Sequence, residues 1–330
     1  MNQIPLLQFK SLAEALVSLF GNSVAIKQTD RVAGGDINRA YAVTLNTGDK
    51  IFMKANAKEN FGFFKAEASG LFALAMTGTL ATPKILCAGT DDGQEVGYSF
   101  LLMECIKSAA PVSDYWKIFG RELAALHQAD ASNFAARDGD SVKAGAAGMS
   151  SNSGSSSAAG MSNAFGFFED NYVGATAQDN SLAATWLEFF RDKRLAPQFK
   201  AADKNFSSGD RSRITKLLDH LDDFLIEPKA PSLLHGDLWS GNVMAGPDGK
   251  AMLIDPAAYV GHAEADLAMT ELFGGFAPDF YQAYREANPL EPGYEKRRDL
   301  YNLYQLLNHL NLFGKSYLGA VLSVVEEYVG

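Results

Sequence analysis

A chain of 330 residues with 47% hydrophobic and 21% charged residues has an ordinary globular composition, long enough for two domains or one domain of two lobes. Its formal net charge of −10 argues against a nucleic-acid partner, because nucleic-acid binders carry a basic face that neutralises phosphates. No apolar run reaches the roughly 20 residues of a membrane helix and the start MNQIPLLQFK lacks the basic and apolar segments of a signal peptide, so a cytoplasmic protein with no membrane partner is expected. Its two cysteines, Cys87 and Cys105, sit in apolar strand-like runs and read as buried free thiols suited to a reducing compartment.

In chain order, Leu6 to Phe20 carries apolar residues at helical spacing and is stopped by Gly21, which predicts a short opening helix. SVAIKQTDRV and RAYAVTLNTGDKIFMKAN predict three strands, the last two joined by the turn Asn46-Thr47-Gly48-Asp49. Between the first two strands lies AGGDIN. Backbone N–H groups around Gly34, Gly35, Asp36 and Asn38 could line phosphates there, although a plain hairpin turn fits the same letters. Phe61 to Met76 reads as a helix, and KILCAGT and YSFLLMECI add two more strands. Residues 1–106 are therefore expected to form a small α+β lobe with an antiparallel sheet.

From Asp114 onward the pattern is helical, beginning with SDYWKIFGRELAALHQ, where Ser113 is placed to cap. Residues 107–330 are expected to form a larger, mainly helical lobe containing the hairpin NVMAGPDGKAMLID, turned at Pro247-Asp248-Gly249. Residues 138–163 are almost pure Ser, Gly, Ala and Asn, a composition that buries too little apolar surface to offset its ordering entropy, and read as a flexible surface insertion.

The chemistry concentrates in LLHGDLWSGNVM, Leu233 to Met244. Asp237 precedes Asn242 by five positions, and Asp255 in LIDPA follows Asn242 by thirteen. These intervals match the catalytic loop and metal-binding Asp of protein-kinase-like enzymes. There an Asp accepts a hydroxyl proton, while an Asn oxygen and a second carboxylate hold Mg²⁺ against the phosphates of ATP. Lys54, at the end of the third meander strand, and Glu67, in the following helix, occupy the places of the phosphate-gripping lysine and its partner; a solvated surface pair is the plainer alternative. Met103, Glu104, Cys105 and Ile106 close the fifth strand where backbone groups would meet an adenine edge. His235 reads as a loop histidine that bonds backbone and shapes the turn, and His127, His220, His262 and His309 show no zinc-site spacing.

LLHGDLWSGNV together with IDPAAYVGHAEADLAMTELFGGF closely resembles the fructosamine kinase (ketosamine-3-kinase) family, a branch of the fold shared by aminoglycoside and choline kinases. GGDINRAY, FMKAN, EASGL, FGFFEDNYVGATAQDN and WLEFFRDKRLAPQ extend the resemblance over nearly the whole chain. It implies a bilobal α+β protein-kinase-like fold and ATP- and Mg²⁺-dependent phosphorylation of a ketosamine, free or protein-bound, typically on its 3-hydroxyl, in deglycation repair. Carried onto this sequence, Asp237 is the base, Asn242 and Asp255 hold Mg²⁺, Lys54 with Glu67 positions the phosphates, and Asp266 braces the catalytic loop. Trp239 and His262 fall on the sugar side by position. The family pattern is broken by the Ser/Gly/Ala insertion, and where some relatives carry a cysteine in the phosphate loop this chain has Asp36 and Ile37. Rival readings are a kinase of the same fold acting on an aminoglycoside or a choline-like alcohol, and a nucleotide-binding scaffold that does not catalyse. Retention of the lysine, the loop Asp and the metal Asp speaks against the scaffold. The oligomeric state stays open, with a monomer favoured.

Overall fold

The computed structural model describes residues 6–33, 37–93, 97–136 and 164–330. The first lobe is built on six strands: β1 (Gln8–Phe9), β2 (Ile26–Val32), β3 (Arg39–Leu45), β4 (Lys50–Ala57), β5 (Ile85–Asp91) and β6 (Tyr98–Glu104), in the spatial order β1-β5-β6-β4-β3-β2. Every neighbouring pair is antiparallel except β1 with β5. Strand side chains alternate between faces, and β6 shows the result. Phe100 and Leu102 pack with Leu16, Val43 and Leu45 under helix α1 (Leu12–Phe20), while Leu101 and Met103 pack with Phe64, Ala68 and Leu71 of helix α2 (Phe61–Met76).

The opening helix is shorter than its periodicity predicts. Ser11 Oγ accepts from the Glu14 N–H at 3.1 Å and so starts the helix at Leu12. Upstream, the carbonyl of Leu7 is taken by the N–H of Ala88 at 3.0 Å, which draws Gln8–Phe9 into the sheet. Cys87 is buried as expected; Cys105, one residue past the end of β6, is half-buried.

The second lobe begins with α3 (Tyr115–Gln128), whose cap residue is Asp114 with no side-chain cap bond, not Ser113. The chain just before α3 is held from outside: Val112 N–H donates to the Gly249 carbonyl in the hairpin turn at 3.1 Å. There follow β7 (Asn171–Val173), β8 (Thr176–Gln178), α4 (Trp186–Phe189), a π-helical turn (Phe190–Leu195), α5 (Ala196–Ala202) and α6 (Ser208–Asp219). Next come β9 (Ser232–Leu234), β10 (Val243–Ala245), β11 (Ala251–Leu253), β12 (Tyr259–Gly261), α7 (Ala263–Leu272), α8 (Pro278–Ala287), α9 (Tyr294–Phe313) and α10 (Leu318–Val329). A single apolar core holds this lobe, centred on Phe119, Trp186, Phe190, Phe280 and Leu307. Two contacts tie the lobes near the site: a Cβ on Gly70 of α2 would lie 2.9 Å from the Pro256 ring, and Tyr172 of β7 meets Phe63 of α2 edge-on at 4.3 Å.

Candidate active site

β9 pairs with β12, and the chain leaving β9 turns at once through His235 and Gly236. Gly236 has φ +81°, and a Cβ there would stand 2.1 Å from the Ala257 carbonyl oxygen, so only glycine fits. Both backbone N–H groups of the turn are captured from α7: His235 N donates to Asp266 Oδ2 at 2.6 Å and Gly236 N to Asp266 Oδ1 at 2.8 Å. Burial would raise the pKa of Asp266, but His127, His235 and the Gly236 amide outweigh it and hold the carboxyl below its usual range. His127 stands 3.4 Å from Asp266 Oδ2 through Nε2 and 2.8 Å from the Tyr284 hydroxyl through Nδ1.

His235 behaves as its sequence context predicts. Its Nε2 lies 2.9 Å from the Ile254 carbonyl, which can only accept, so the ring donates there and its Nδ1 receives the Asp237 N–H at 3.3 Å. Burial lowers its pKa, in keeping with this neutral tautomer. Asn242 then fixes Asp237, its Nδ2 donating to the Asp237 carbonyl at 2.8 Å and to Oδ2 at 3.0 Å. The Asp237 carboxyl is pushed up to about 7, first by burial and then by the charges of Asp255 and Asp266, against the Asn242 bond that lowers it.

The β10–β11 hairpin brings the second carboxylate alongside. Val243 pairs with Leu253, and Ile254 N donates to the Asn242 carbonyl at 3.0 Å, so Asn242 and Asp255 ride on adjacent backbone. Asp255 has φ 54°, the one non-glycine residue with positive φ among the described residues, a conformation that costs about 1–3 kcal/mol and is concentrated at functional sites. Lys54 of β4 joins the lobes here: its Nζ is 2.7 Å from Glu67 Oε1 and in direct contact with Asp255 Oδ1. Burial alone would lower the lysine, yet the two carboxylates raise it above its ordinary value, while burial pushes Glu67 up against the pull of Lys54.

These residues suit a hard cation. Asn242 spends Nδ2 on Asp237, which turns its oxygen the other way, and the Asp255 side chain is 40% exposed with only Oδ1 engaged by lysine. Among the described residues no group of three or more His, Cys, Asp or Glu side chains could hold a metal alone, so a cation here would complete its shell with phosphate oxygens and water.

Of the remaining predicted residues, Gly34, Gly35 and Asp36 lie outside the described residues, as do residues 138–163. Asn38 Oδ1 accepts from Asn56 Nδ2 at 2.7 Å. Met103 is buried, and Glu104 clasps Lys84 through backbone and side chain at 3.0 and 2.8 Å, leaving half-buried Cys105 and Ile106 beyond the strand. Trp239 is 38% exposed, with its ring over Gly241, where a Cβ would lie 2.4 Å from it. His262, expected on the sugar side by position, is a buried helix cap. It caps α7, its Nδ1 accepting from Glu264 N at 3.1 Å, and is buried between Trp186 and Tyr301 with its pKa lowered to about 3 by that burial. That cap accounts for its place in the core. Sequence spacing gives His127 no role at the site and does not single out Gln305 of α9, whose Nε2 donates to the Gly236 carbonyl at 3.0 Å; neither lies in a local motif.

The family model described as Fructosamine kinase matches residues 8–330. A "probable ketoamine kinase" of Synechocystis sp. is 36% identical over 311 residues, covering 94% of this chain and 92% of the relative. A chloroplastic protein-ribulosamine 3-kinase of Oryza sativa subsp. indica is 33% identical over 311 residues, covering 94% and 81%. Among solved structures, one provisionally named fructosamine-3-kinase, from Haemophilus somnus, superposes with a TM-score of 0.77 at 27% identity, covering 97% of both chains.

Proposed function

The chain belongs to the fructosamine kinase family, and from that premise we propose how its site carries out the reaction. It is an ATP-dependent ketosamine kinase of bilobal kinase-like fold. In the mechanism we infer, the Asp237 carboxylate takes the proton of the acceptor hydroxyl as that oxygen bonds to the γ-phosphorus of ATP. The bond from the γ-phosphorus to the β,γ-bridging oxygen breaks, ADP leaves with the electron pair, and the proton stays on Asp237 until it passes to solvent. The 3-hydroxyl is the acceptor we favour, after the relative named for 3-phosphorylation.

Lys54, paired with Glu67, offers its ammonium to the phosphates and exchanges its contact with Asp255 for them. The Asn242 oxygen and the Asp255 carboxylate would hold Mg²⁺, which neutralises phosphate charge when bound. Trp239, exposed beside the base, offers an apolar face to the sugar. Most of the barrier lowering comes from positioning and charge neutralisation. We place the consequence in deglycation: a phosphate on the ketosugar destabilises the glycation adduct.

The observation that carries this reading is that Lys54, paired with Glu67, reaches Asp255 from the other lobe, while Asn242, on backbone adjacent to Asp255, holds Asp237. The test is Mg²⁺-dependent ATP turnover on small ketosamines, an aminoglycoside and choline, with the phosphate position read by NMR. Phosphate on a ketosamine 3-hydroxyl, absent with Asp237→Asn, is the expected result; transfer only to the aminoglycoside or choline would overturn the acceptor, and no transfer with tight ATP binding would overturn the enzyme.

A further inference from the structure

The β7–β8 hairpin belongs to the second lobe by its fastenings. Thr176 Oγ1 donates to Asn308 Oδ1 at 2.7 Å, Gln178 Nε2 to the Tyr304 hydroxyl at 2.7 Å, and Asn171 Nδ2 to the Ala258 carbonyl at 2.7 Å, three residues past Asp255. Asn308 and Tyr304 lie on α9, the helix whose Gln305 amide holds the Gly236 carbonyl of the base loop. The outer contacts of the hairpin go to the first lobe. The Tyr172 ring meets Phe63 edge-on at 4.3 Å, and a Cβ on Gly62, in the first turn of α2, would lie 3.3 Å from the Tyr172 hydroxyl. At the hairpin turn Gly174 has φ +60°, and a Cβ there would lie 3.0 Å from Leu312 of α9 and 3.4 Å from Ile37, so the turn backbone touches a side chain from each lobe. The Ile37 carbonyl accepts from Asn56 Nδ2 at 3.2 Å, and Asn56 stands on β4, the strand that carries Lys54.

We propose that the β7–β8 hairpin is a clasp through which the second lobe sets the nucleotide-holding elements of the first, with Tyr172 as the positioning residue for Glu67. The assignment rests on the kinase reading of the site. Phe63 stands one turn before Glu67 on the same side of α2, so the ring packed against Phe63 fixes where Glu67 meets Lys54, 2.7 Å away. Because the hairpin is hydrogen-bonded to α9, the Lys54–Glu67 pair and the base loop are referred to one support. The two lobes are thereby registered at the site itself.

The test is calorimetry of the non-hydrolysable ATP analogue AMP-PNP with Mg²⁺ on wild type, Tyr172→Leu, Tyr172→Phe and Thr176→Val, with melting temperature showing that each variant is folded. Tyr172→Leu should weaken the nucleotide by about 2–10-fold, the range that an edge-to-face ring pair supplies. It should raise KM for ATP by the same factor and leave kcat at saturating ATP within about twofold, because bound nucleotide restores the Lys54–Glu67 geometry. Tyr172→Phe keeps the ring and should bind as wild type does. Thr176→Val cuts the fastening to α9 and should weaken the nucleotide in the same direction, which carries the test should Tyr172→Leu fail to fold. A Tyr172→Leu or Thr176→Val that melts lower yet binds nucleotide as wild type does would reduce the hairpin to packing and overturn the proposal. A wild type that binds no nucleotide overturns the kinase reading itself, a result distinct from equal affinity in wild type and all three variants.

Discussion

Lys54, Glu67 and Asp255 hold one another by direct contact between charges drawn from β4, α2 and the chain after β11. Asp237, a short step away, is held by the Asn242 amide, the neutral His235 ring and, through Gly236, the Gln305 amide. The phosphate half is thus a set of charges satisfied by each other, open to exchange when a polyanion enters. The base half is a loop whose backbone is held by hydrogen bonds from α7, α9 and the His235 ring. One half is held by charge against charge; the other is held by hydrogen bonds to its backbone. The division suits phosphoryl transfer, in which an in-line geometry must be ready before the charges rearrange around it.

The most severe way to break this comparison is Asp255→Ala. It removes the proposed cation ligand and one of the two carboxylates facing Lys54 together, and turnover should fall to background in a steady-state ATP assay. Asp237→Asn strikes the other half alone: turnover should drop by about 10²–10⁴-fold, the contribution of general-base catalysis, while nucleotide affinity measured by calorimetry stays within twofold. Equal loss of nucleotide binding in both variants would mean the halves are not separable. Gly236→Ala sharpens the contrast further, since its Cβ would meet the Ala257 carbonyl at 2.1 Å and the loop must move. Stability should fall by about 1–3 kcal/mol, the cost of forcing such strain, and turnover should fall with it, whereas the Lys54–Glu67 pair, read by nucleotide affinity, should be spared.

Local signals made much of this legible. The bounds of α2 emerge from apolar composition, and the hairpin around Pro247–Gly249 from its turn residues. The Asp237, Asn242 and Asp255 spacing carries the chemistry because a loop followed at once by a hairpin forces those side chains together. What escaped depends on distant partners. Leu7 is captured by β5, the start of α3 is held by the hairpin turn, and Lys54 touches Asp255 across 201 positions. The π-helical turn Phe190–Leu195 has no local signature, and its Arg194 guanidinium lies over the rings of Phe189 and Tyr259 at 4.5 and 4.2 Å. Likewise nothing near Gln305 in the chain announces that its amide closes on Gly236. Asp237, Asn242 and Asp255 cluster in sequence; the residues that hold their loop in place are scattered along α3, α7 and α9.

The smallest effect tests whether the base is prepared at a cost. Asp237 has its carboxyl raised from an ordinary 3.8 to about 7, chiefly by burial, so between those values the folded chain binds a proton that the unfolded chain has released. Folding stability from this group therefore falls as pH rises through that window and levels off above about 7. Asn at 237 cannot ionise and escapes the loss. Asp237→Asn should match wild type most closely near pH 5 and gain on it toward pH 8. The gain is about 1 kcal/mol, less than the roughly 1.4 kcal/mol per pKa unit of a dry site because Asp237 is half-buried. Melting temperatures in metal-free buffer at both pH values measure it directly. An inactive variant that is more stable only at high pH identifies a carboxylate kept charged against its surroundings; a gap independent of pH would show that the loop holds Asp237 without desolvating it and would leave the two halves of the site electrostatically alike.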